Sequence, residues 1–280
     1  MPIFGRQVTV TMGQAGAQGV ALSDLRVSFR VEMSQSSVPN TAKIRLWNPN
    51  PASIALLESG PLPTVQLAVG YSDPLQPAPT AIPRLIFTGD VVKDGLTVQK
   101  EGPDRIVEIE AQDGGTAYQT ARINVSFATP TTISAVVTAV AAQLALPIGL
   151  VQVVPDLTLP NGGVFSGQAR DVLDRLAATV GGAWWISDGV FFFAPTVAPL
   201  ALPAPVFSST LGNLIGSPKK KDRGGVEVRA LLDASMRPGG SFLLVSTTIW
   251  GTYIASDVIF EGDSGFAAPF YVTTVGRLAG

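Results

Sequence analysis

The chain has 280 residues, of which 46% are hydrophobic and 14% are charged, and its formal net charge is −2. It contains no cysteine and no histidine, which excludes disulfides, thiolate metal sites, a cysteine nucleophile and a Ser-His-Asp triad. The small net charge predicts no overall attraction to nucleic acid.

The apolar composition raises the question of a membrane protein, and the sequence argues against one. Residues 123–155 carry no charge, but Pro130, Pro147 and Pro155 interrupt them. The best apolar helix, 133–146, is shorter than the roughly 20 residues that a span needs. The uncharged stretch 189–218 contains five prolines and cannot form one helix, and the start of the chain shows no signal peptide. We therefore expect large protein interfaces, and no membrane span, to explain the composition.

Alternating patterns dominate the first predicted part, residues 1–118. Apolar and polar residues alternate over 25–34 and again over 42–47, which predicts two half-buried antiparallel strands joined by a turn at Pro39-Asn40. Asn50 is a suitable cap for a short helix over 51–59 that ends at Gly60. These features indicate a β-barrel rather than a catalytic centre.

Further strands are predicted in the same part at 65–71, 85–92, 96–99 and 105–111. A proline-rich loop, 73–83, precedes the second of these, and Asp94-Gly95 predicts a hairpin turn between the second and the third. Residues 102–104 turn the chain into the last strand. Five or six short strands with one helix predict a small antiparallel barrel or sandwich.

The middle part, residues 119–205, has a different character. Thr132 can cap an apolar helix over 133–146, and an apolar run, 148–154, follows it. A second helix over 168–180, opened by Ser166 or Gly167, carries one apolar face and is closed by Gly181-Gly182. Residues 183–194 form a hairpin around Asp188-Gly189. This pattern predicts a small α+β domain, which a stiff proline-rich connector, 194–207, joins to the rest.

The last part, residues 206–280, returns to β character. Strands are predicted at 226–232, 241–248, 249–260 and 269–275, with a strong turn at residues 237–240. The natural prediction is a second small barrel, so that two barrels bracket the α+β domain.

Two groups of residues invite a binding function, and each has a simpler explanation. The basic segment 219–223, KKKDR, could touch DNA or an acidic partner, but a solvated loop before a strand is favoured. Trp184-Trp185 and Phe191-Phe192-Phe193 could stack a sugar. We expect instead that one residue of each group fills the core and another meets a neighbouring subunit.

The carboxylates give no convincing catalytic or metal site. Asp171 and Asp174 lie three residues apart on a predicted helix beside Arg170 and Arg175, which is typical of solubilising charge. Residues 261–265 only faintly resemble a cation-binding loop, and Glu261 and Asp263 lack the regular ligand spacing. An alternative hydrolase would use Glu58 with Asp90 or Asp113, although no spacing singles out such a pair. No catalytic, cofactor or metal residue is therefore predicted.

Four segments carry a family resemblance. They are 29–51 (FRVEMSQSSVPNTAKIRLWNPNP), 86–91 (IFTGDV), 165–193 (FSGQARDVLDRLAATVGGAWWISDGVFFF) and 216–246 (GSPKKKDRGGVEVRALLDASMRPGGSFLLVS). In this order they resemble the baseplate hub proteins of contractile phage tails, the late-control-D-like family. The chain departs from the family after the last strand, where Arg277 stands near the position at which relatives commonly have a histidine.

The resemblance implies two barrels side by side and a homotrimer that forms a pseudo-sixfold ring around the DNA channel. Such a ring adapts the sixfold tail tube to the threefold central spike. The implied partners are the spike, the tube or tube-initiator proteins, and the baseplate wedge and tape-measure proteins, with DNA only passing through. The implied location is the virion tail, after synthesis in the host cytoplasm. A cell-wall hydrolase and a carbohydrate-binding β module remain as alternatives.

Overall fold

The computed structural model describes residues 5–13, 19–23, 25–58, 64–72, 83–265 and 268–279, and these residues are mainly β. The first third of the chain forms the helix α1 (Pro51–Glu58) and the strands β1 (Gly5–Gly13), β2 (Val20–Leu22), β3 (Val27–Ser34), β4 (Thr41–Trp47), β5 (Thr64–Ser72), β6 (Arg84–Glu101) and β7 (Asp104–Gln112).

The segment from α2 to β14 is called the insert below. It contains the helices α2 (Gly115–Thr120), α3 (Ile133–Ala142) and α4 (Ala169–Val180) and the strands β8 (Arg122–Phe127), β9 (Thr131–Thr132), β10 (Ile148–Val151), β11 (Thr158–Leu159), β12 (Gly163–Gln168), β13 (Gly182–Ser187) and β14 (Val190–Pro195). The last part forms β15 (Val206–Ser208), β16 (Lys219–Lys220), β17 (Val226–Leu231), β18 (Ser241–Val245), β19 (Trp250–Asp263) and β20 (Phe270–Leu278).

One sheet of 13 strands contains the strands of both outer parts. Its main path runs β16-β17-β20-β19-β3-β4-β7-β6-β5-β1-β2, and β18 and β15 branch from β19. The antiparallel pairing of β19 with β3, from Asp257 opposite Ser34 to Asp263 opposite Ser28, joins the first part to the last. Residues more than 220 positions apart in the chain thus lie side by side.

The prediction that each outer part closes into a small barrel is therefore wrong. In the described strands, the path is open and no pairing closes either part on itself. The physical reason is that β3 uses one edge for β4 and gives the other to β19, so its backbone hydrogen bonds are satisfied across the two parts. The mainly antiparallel character of both parts is confirmed.

A single apolar core spans the two outer parts. The predicted inward positions of β3, which are Val27, Phe29, Val31 and Met33, are all buried, as strand alternation requires. They share one core with residues of the last part, including Phe242, Phe260, Phe270 and Val272. At the seam, a Cβ on Gly262 would lie 2.4 Å from Phe29 Cζ, so only glycine allows this ring to pack there.

Several local predictions for the first part are confirmed, and one is wrong. Asn50 Oδ1 accepts a hydrogen bond from Ala52 N at 2.9 Å, as expected for the cap of α1, while the predicted end of this helix lies outside the described residues. Asp94-Gly95 does not separate two strands, because β6 runs through it and makes a four-residue excursion between Val91 and Leu96. Strand β1, which pairs with β5 along its whole length, was not predicted.

The insert has its own core beneath its two longer helices. The apolar face of α4 is buried as predicted, and Gly181 closes this helix with φ +64°. Helix α3 is capped by Thr132 as predicted but ends at Ala142, four residues early. It ends there because the chain turns at residues 143–145 and brings Pro147 O within 2.8 Å of Phe191 N, where β10 pairs with β14 in parallel.

Across the described ranges, no helix has the length and apolar character that crossing a bilayer would require.

Candidate functional site

The most extended candidate surface is the side of the large sheet that faces away from the core. On β19, β3, β4 and β7, the residues Glu261, Arg30, Lys43 and Glu110 lie opposite one another in register and form a row across the four strands. They follow from the alternation, since each lies between two buried apolar residues. With Arg45 and Glu108 they line a groove, and we call these six residues the charged face.

Every cation on the charged face has a carboxylate partner. Lys43 Nζ lies 2.7 Å from Glu110 Oε1, and Arg45 Nε lies 2.7 Å from Glu108 Oε1. Arg30 contacts Glu261 at 3.6 Å and Glu32 on its own strand at 2.7 Å. The surface is thus densely charged but locally neutral, and exposed pairs of this kind contribute little to stability.

The basic segment 219–223 continues this surface at the edge of the sheet. Lys219 Nζ and Lys221 Nζ lie 3.5 Å and 2.6 Å from the Glu227 carboxylate, and the hydrogen bond from Lys221 is the main cause that lowers the pKa of Glu227. Lys220 is exposed with no ion pair among the described residues, and the Arg223 side chain lies outside them. The segment forms strand β16 and a 3-10 turn, and two of its lysines share the one carboxylate of Glu227.

Four of the five aromatic residues of the β13–β14 hairpin, Trp184, Trp185, Phe191 and Phe193, are buried, and Phe192 is half-buried. Trp184 and Trp185 are each 1% exposed, which contradicts the expectation that one of them meets a neighbouring subunit. Trp184 lies in the core of the insert, whereas Trp185 stacks on Phe192 at 5.6 Å and packs with Leu200 of the connector. The hairpin therefore has an aromatic residue of each strand on both faces, and only Phe192 is partly exposed.

The predicted carboxylates are not brought together into an acid/base pair. Asp174 Oδ1 accepts a hydrogen bond from Trp184 Nε1 at 2.7 Å, while the Asp171 carboxylate pairs with the exposed Arg170. Asp90 is exposed and accepts a hydrogen bond from Thr64. The side chain of Glu58 is outside the described residues.

The loop at 261–265 is occupied by internal contacts. Asp263 Oδ2 lies 3.1 Å from Arg26 NH2, and its Oδ1 accepts a hydrogen bond from Gly265 N. Glu261 faces Arg30. In the ranges that the structure describes, no group of three potential ligand side chains could hold a metal ion.

A polar cluster that sequence reasoning missed lies where the insert meets both outer parts; we call it the joint. Asp113, one residue after β7, accepts a hydrogen bond at Oδ1 from Gly189 N at 2.9 Å. Asp188 Oδ2 pairs with Arg237 Nε at 3.0 Å, and Asn40 Nδ2 donates to Ile186 O at 2.8 Å. The only local signal was the Asp188-Gly189 turn, because the six residues come from four distant stretches of the chain.

Burial dominates the electrostatics of the joint. The Asp113 side chain is almost wholly enclosed, with 1% of the residue exposed. Loss of solvation raises the pKa of Asp113 to about 7, the negative charge of Asp188 adds to this, and the hydrogen bond from Gly189 opposes it. A carboxyl group that titrates near neutrality is a common property of functional sites but also occurs in structural networks.

Comparison with known proteins identifies the class of fold. No family model and no curated protein matches the chain. Solved structures match it over nearly its whole length: a tail protein from Neisseria meningitidis (10% identity, 98% of this chain and 96% of that one, TM-score 0.63) and the 43 kDa tail protein of prophage MuSo2 from Shewanella oneidensis (10% identity, 97% and 98%, TM-score 0.65).

A third match extends the likeness beyond phages. It is a component of the E. coli type VI secretion system that is structurally similar to bacteriophage T4 tail proteins (10% identity, 96% of this chain and 77% of that one, TM-score 0.60). The chain therefore has the fold of phage tail proteins and of this secretion component. At such low identity the likeness establishes the fold alone.

Proposed function

We propose that the protein is a structural hub of a phage-tail baseplate, a homotrimeric ring that adapts the sixfold tail tube to the threefold central spike. The observation that carries the proposal is the tail-protein fold, which covers at least 96% of this chain in each of the three matches. The sequence resemblance to the hub family points to the same assignment.

The continuous sheet suits this role mechanically. A hub must hold two similar β parts at a fixed spacing so that three chains present six similar units. In this chain the β19–β3 pairing and the shared core tie the two parts together. The spacing between them is thus set by backbone hydrogen bonds rather than by a flexible linker.

The charged face is a suitable lining for the DNA channel of such a ring. Free lysines and arginines would bind phosphate and release counterions, which would hold the DNA. Here Arg30, Lys43 and Arg45 are each paired with a carboxylate. A locally neutral surface lets a duplex slide.

A structural role is also the best account of the carboxylates and aromatic residues. Of the described carboxylates of the alternative hydrolase, Asp90 is exposed and bonded to Thr64 whereas Asp113 is enclosed, and four of the five aromatic residues of the alternative carbohydrate-binding module are buried. We propose the spike and the tail tube as axial partners, the wedge and tape-measure proteins as neighbours, and the virion tail as the location.

The oligomeric state tests the proposal directly. Light scattering on the purified chain should give about three times the 29.1 kDa monomer mass, alone or after the tail's spike protein is added. Negative-stain images of that species should show rings with a central opening. A well-behaved monomer at micromolar concentration that also stays monomeric with the spike would overturn the proposal.

A further inference from the structure

The joint contains two buried carboxylate oxygens that have no hydrogen-bond donor. Asp113 Oδ1 is bound to Gly189 N, but Asp113 Oδ2 is enclosed without a partner. Asp188 Oδ2 is bound to Arg237, but Asp188 Oδ1 is likewise enclosed without a partner. An enclosed acceptor that lacks a donor is costly, and two negative charges in one enclosed place increase the cost.

The donors around Asp113 compensate its charge only in part. The backbone N–H of Asp188 and the Asn40 side chain lower the pKa of Asp113, as Gly189 does, but burial and the charge of Asp188 outweigh them. The Asn40 amide also donates to Ile186 O, and Asn40 Oδ1 accepts from Ser34 N. The Tyr118 hydroxyl accepts a hydrogen bond from Ile186 N and has a pKa raised by burial, so it remains neutral.

Arg237, the cation of the joint, already binds groups other than Asp113. The Arg237 guanidinium binds Asp188 Oδ2 and donates to the backbone oxygens of Leu85, Ala234 and Met236. It therefore compensates Asp188 and holds the turn between β17 and β18 against β6. Asp113 is left as the carboxylate without a cation in this cluster, and a proton is the simplest group that can neutralise it.

We propose that the joint is a proton-controlled latch: with a proton on Asp113 the β13–β14 hairpin of the insert is held against the large sheet, and loss of this proton loosens it. The protonated carboxyl group keeps its bond from Gly189 and removes the charge that faces Asp188. When Asp113 is ionised, it keeps the bond from Gly189 N, but the enclosed negative charges of Asp113 and Asp188 then have only the guanidinium of Arg237 to compensate them. The insert then moves more easily relative to both outer parts.

The direction of the pH effect follows from the pKa of Asp113. Its value in the closed joint is about 7, whereas the ordinary value is 3.8. The proton on Asp113 stabilises the closed joint fully at pH values below 3.8, the ordinary pKa. This stabilisation decreases as the pH rises towards 7. It is lost above about pH 7, where Asp113 is ionised in both the closed and the open form. Between these limits, opening becomes about tenfold more favourable per pH unit because one proton is released.

Amide hydrogen exchange of the full-length protein can measure this latch. After correction for intrinsic exchange, the opening constant of the amide of Gly189 and its hairpin neighbours should rise about a hundredfold between about pH 5 and 7 and then level off. In Asp113→Asn, an isosteric neutral side chain replaces the carboxyl group, and the opening constant should stay low and independent of pH. Asp94→Asn, an exposed position with φ +61°, makes the same chemical change elsewhere and should behave as wild type.

A second variant and a second signal separate the latch from a general loss of structure. Asp188→Asn removes the negative charge that helps to raise the pKa of Asp113. In this variant the pH at which the opening constant levels off should therefore be lower than in wild type. The emission of Trp185, whose ring lies beside Gly239 on the other side of the joint, should follow the same pH profile. An opening constant that is flat in wild type, or that rises equally in Asp113→Asn, would overturn the proposal.

Discussion

The buried indole N–H of Trp184 gives Asp174, a residue on the surface of helix α4, a structural role. Its indole ring is enclosed between Tyr118 and Phe191, at centroid distances of 5.2 and 6.0 Å. Its Nε1–H donates to Asp174 Oδ1 at 2.7 Å. Asp174 therefore orients the largest side chain in the core of the insert, although the sequence suggested only a solubilising charge.

We expect Asp174→Ala to lower the free energy of unfolding by about 1–3 kcal/mol, because it leaves this indole N–H without an acceptor. Asp174→Asn, which keeps an acceptor oxygen, should lose less. Asp171→Ala is the matched control on the same helix, since the Asp171 carboxylate pairs with the exposed Arg170. Urea unfolding followed by tryptophan emission measures all three, and equal losses for the two alanine variants would contradict the assignment.

At the scale of the element, the charged face results from two features: the alternation of residues along each strand and the register between neighbouring strands. Alternation along each strand places charges on one side, and the register between β19, β3, β4 and β7 places opposite charges beside each other. Opposite charges that face each other across strands are mildly stabilising. The stronger consequence is the cancellation of the field that would attract phosphate.

Reversing the acidic partners should therefore turn this face into a DNA-binding surface. In Glu108→Lys/Glu110→Lys the cations Lys43 and Arg45 lose their nearest carboxylates and gain two positive neighbours. We expect the variant to retard duplex DNA in a gel at low salt, with an affinity that falls steeply as salt rises. The wild type should not retard DNA under these conditions.

The control carries the same change of charge on another surface. Asp156→Lys/Asp171→Lys alters two exposed carboxylates of the insert and should bind DNA more weakly than the variant of the charged face. If both double variants bind DNA equally, net charge alone would be responsible, and the argument for a compensated face would fail.

At the scale of the whole molecule, local patterns predicted the elements and missed how they are joined. Strands β3, β4, β5 and β7, helix α4 and the Asp188-Gly189 hairpin follow from alternation, helical periodicity and turn chemistry, which neighbouring residues determine. The seam between β3 and β19 depends on a partner more than 220 residues away, and no local pattern specifies it. The joint was missed for the same reason, because Asn40, Asp113, Asp188 and Arg237 come from separate stretches.

The seam also decides which parts of the chain can fold alone. The Phe270 ring lies at centroid distances of 5.9 Å from Phe29 and 5.2 Å from Tyr71, and Arg6 covers it at 5.4 Å. A fragment of residues 1–118 lacks this ring and leaves β3 as an unpaired edge strand, which favours aggregation. The insert, by contrast, has a core of its own, built around Trp184 and the helices α3 and α4.

We therefore predict that fragment 1–118 does not form a stable monomer, whereas fragment 113–196 does. The first should give a poorly dispersed amide spectrum and a broad thermal transition, because its core is completed only by the last part of the chain. The second should give a dispersed spectrum and a cooperative transition, since it keeps Tyr118 stacked on Trp184. Adding a separate fragment of residues 206–280 should restore dispersion to the first fragment if the seam carries the fold. A monomeric, cooperatively folded fragment 1–118 would instead mean that the first part is an independent domain and that the β3–β19 pairing only docks two finished units.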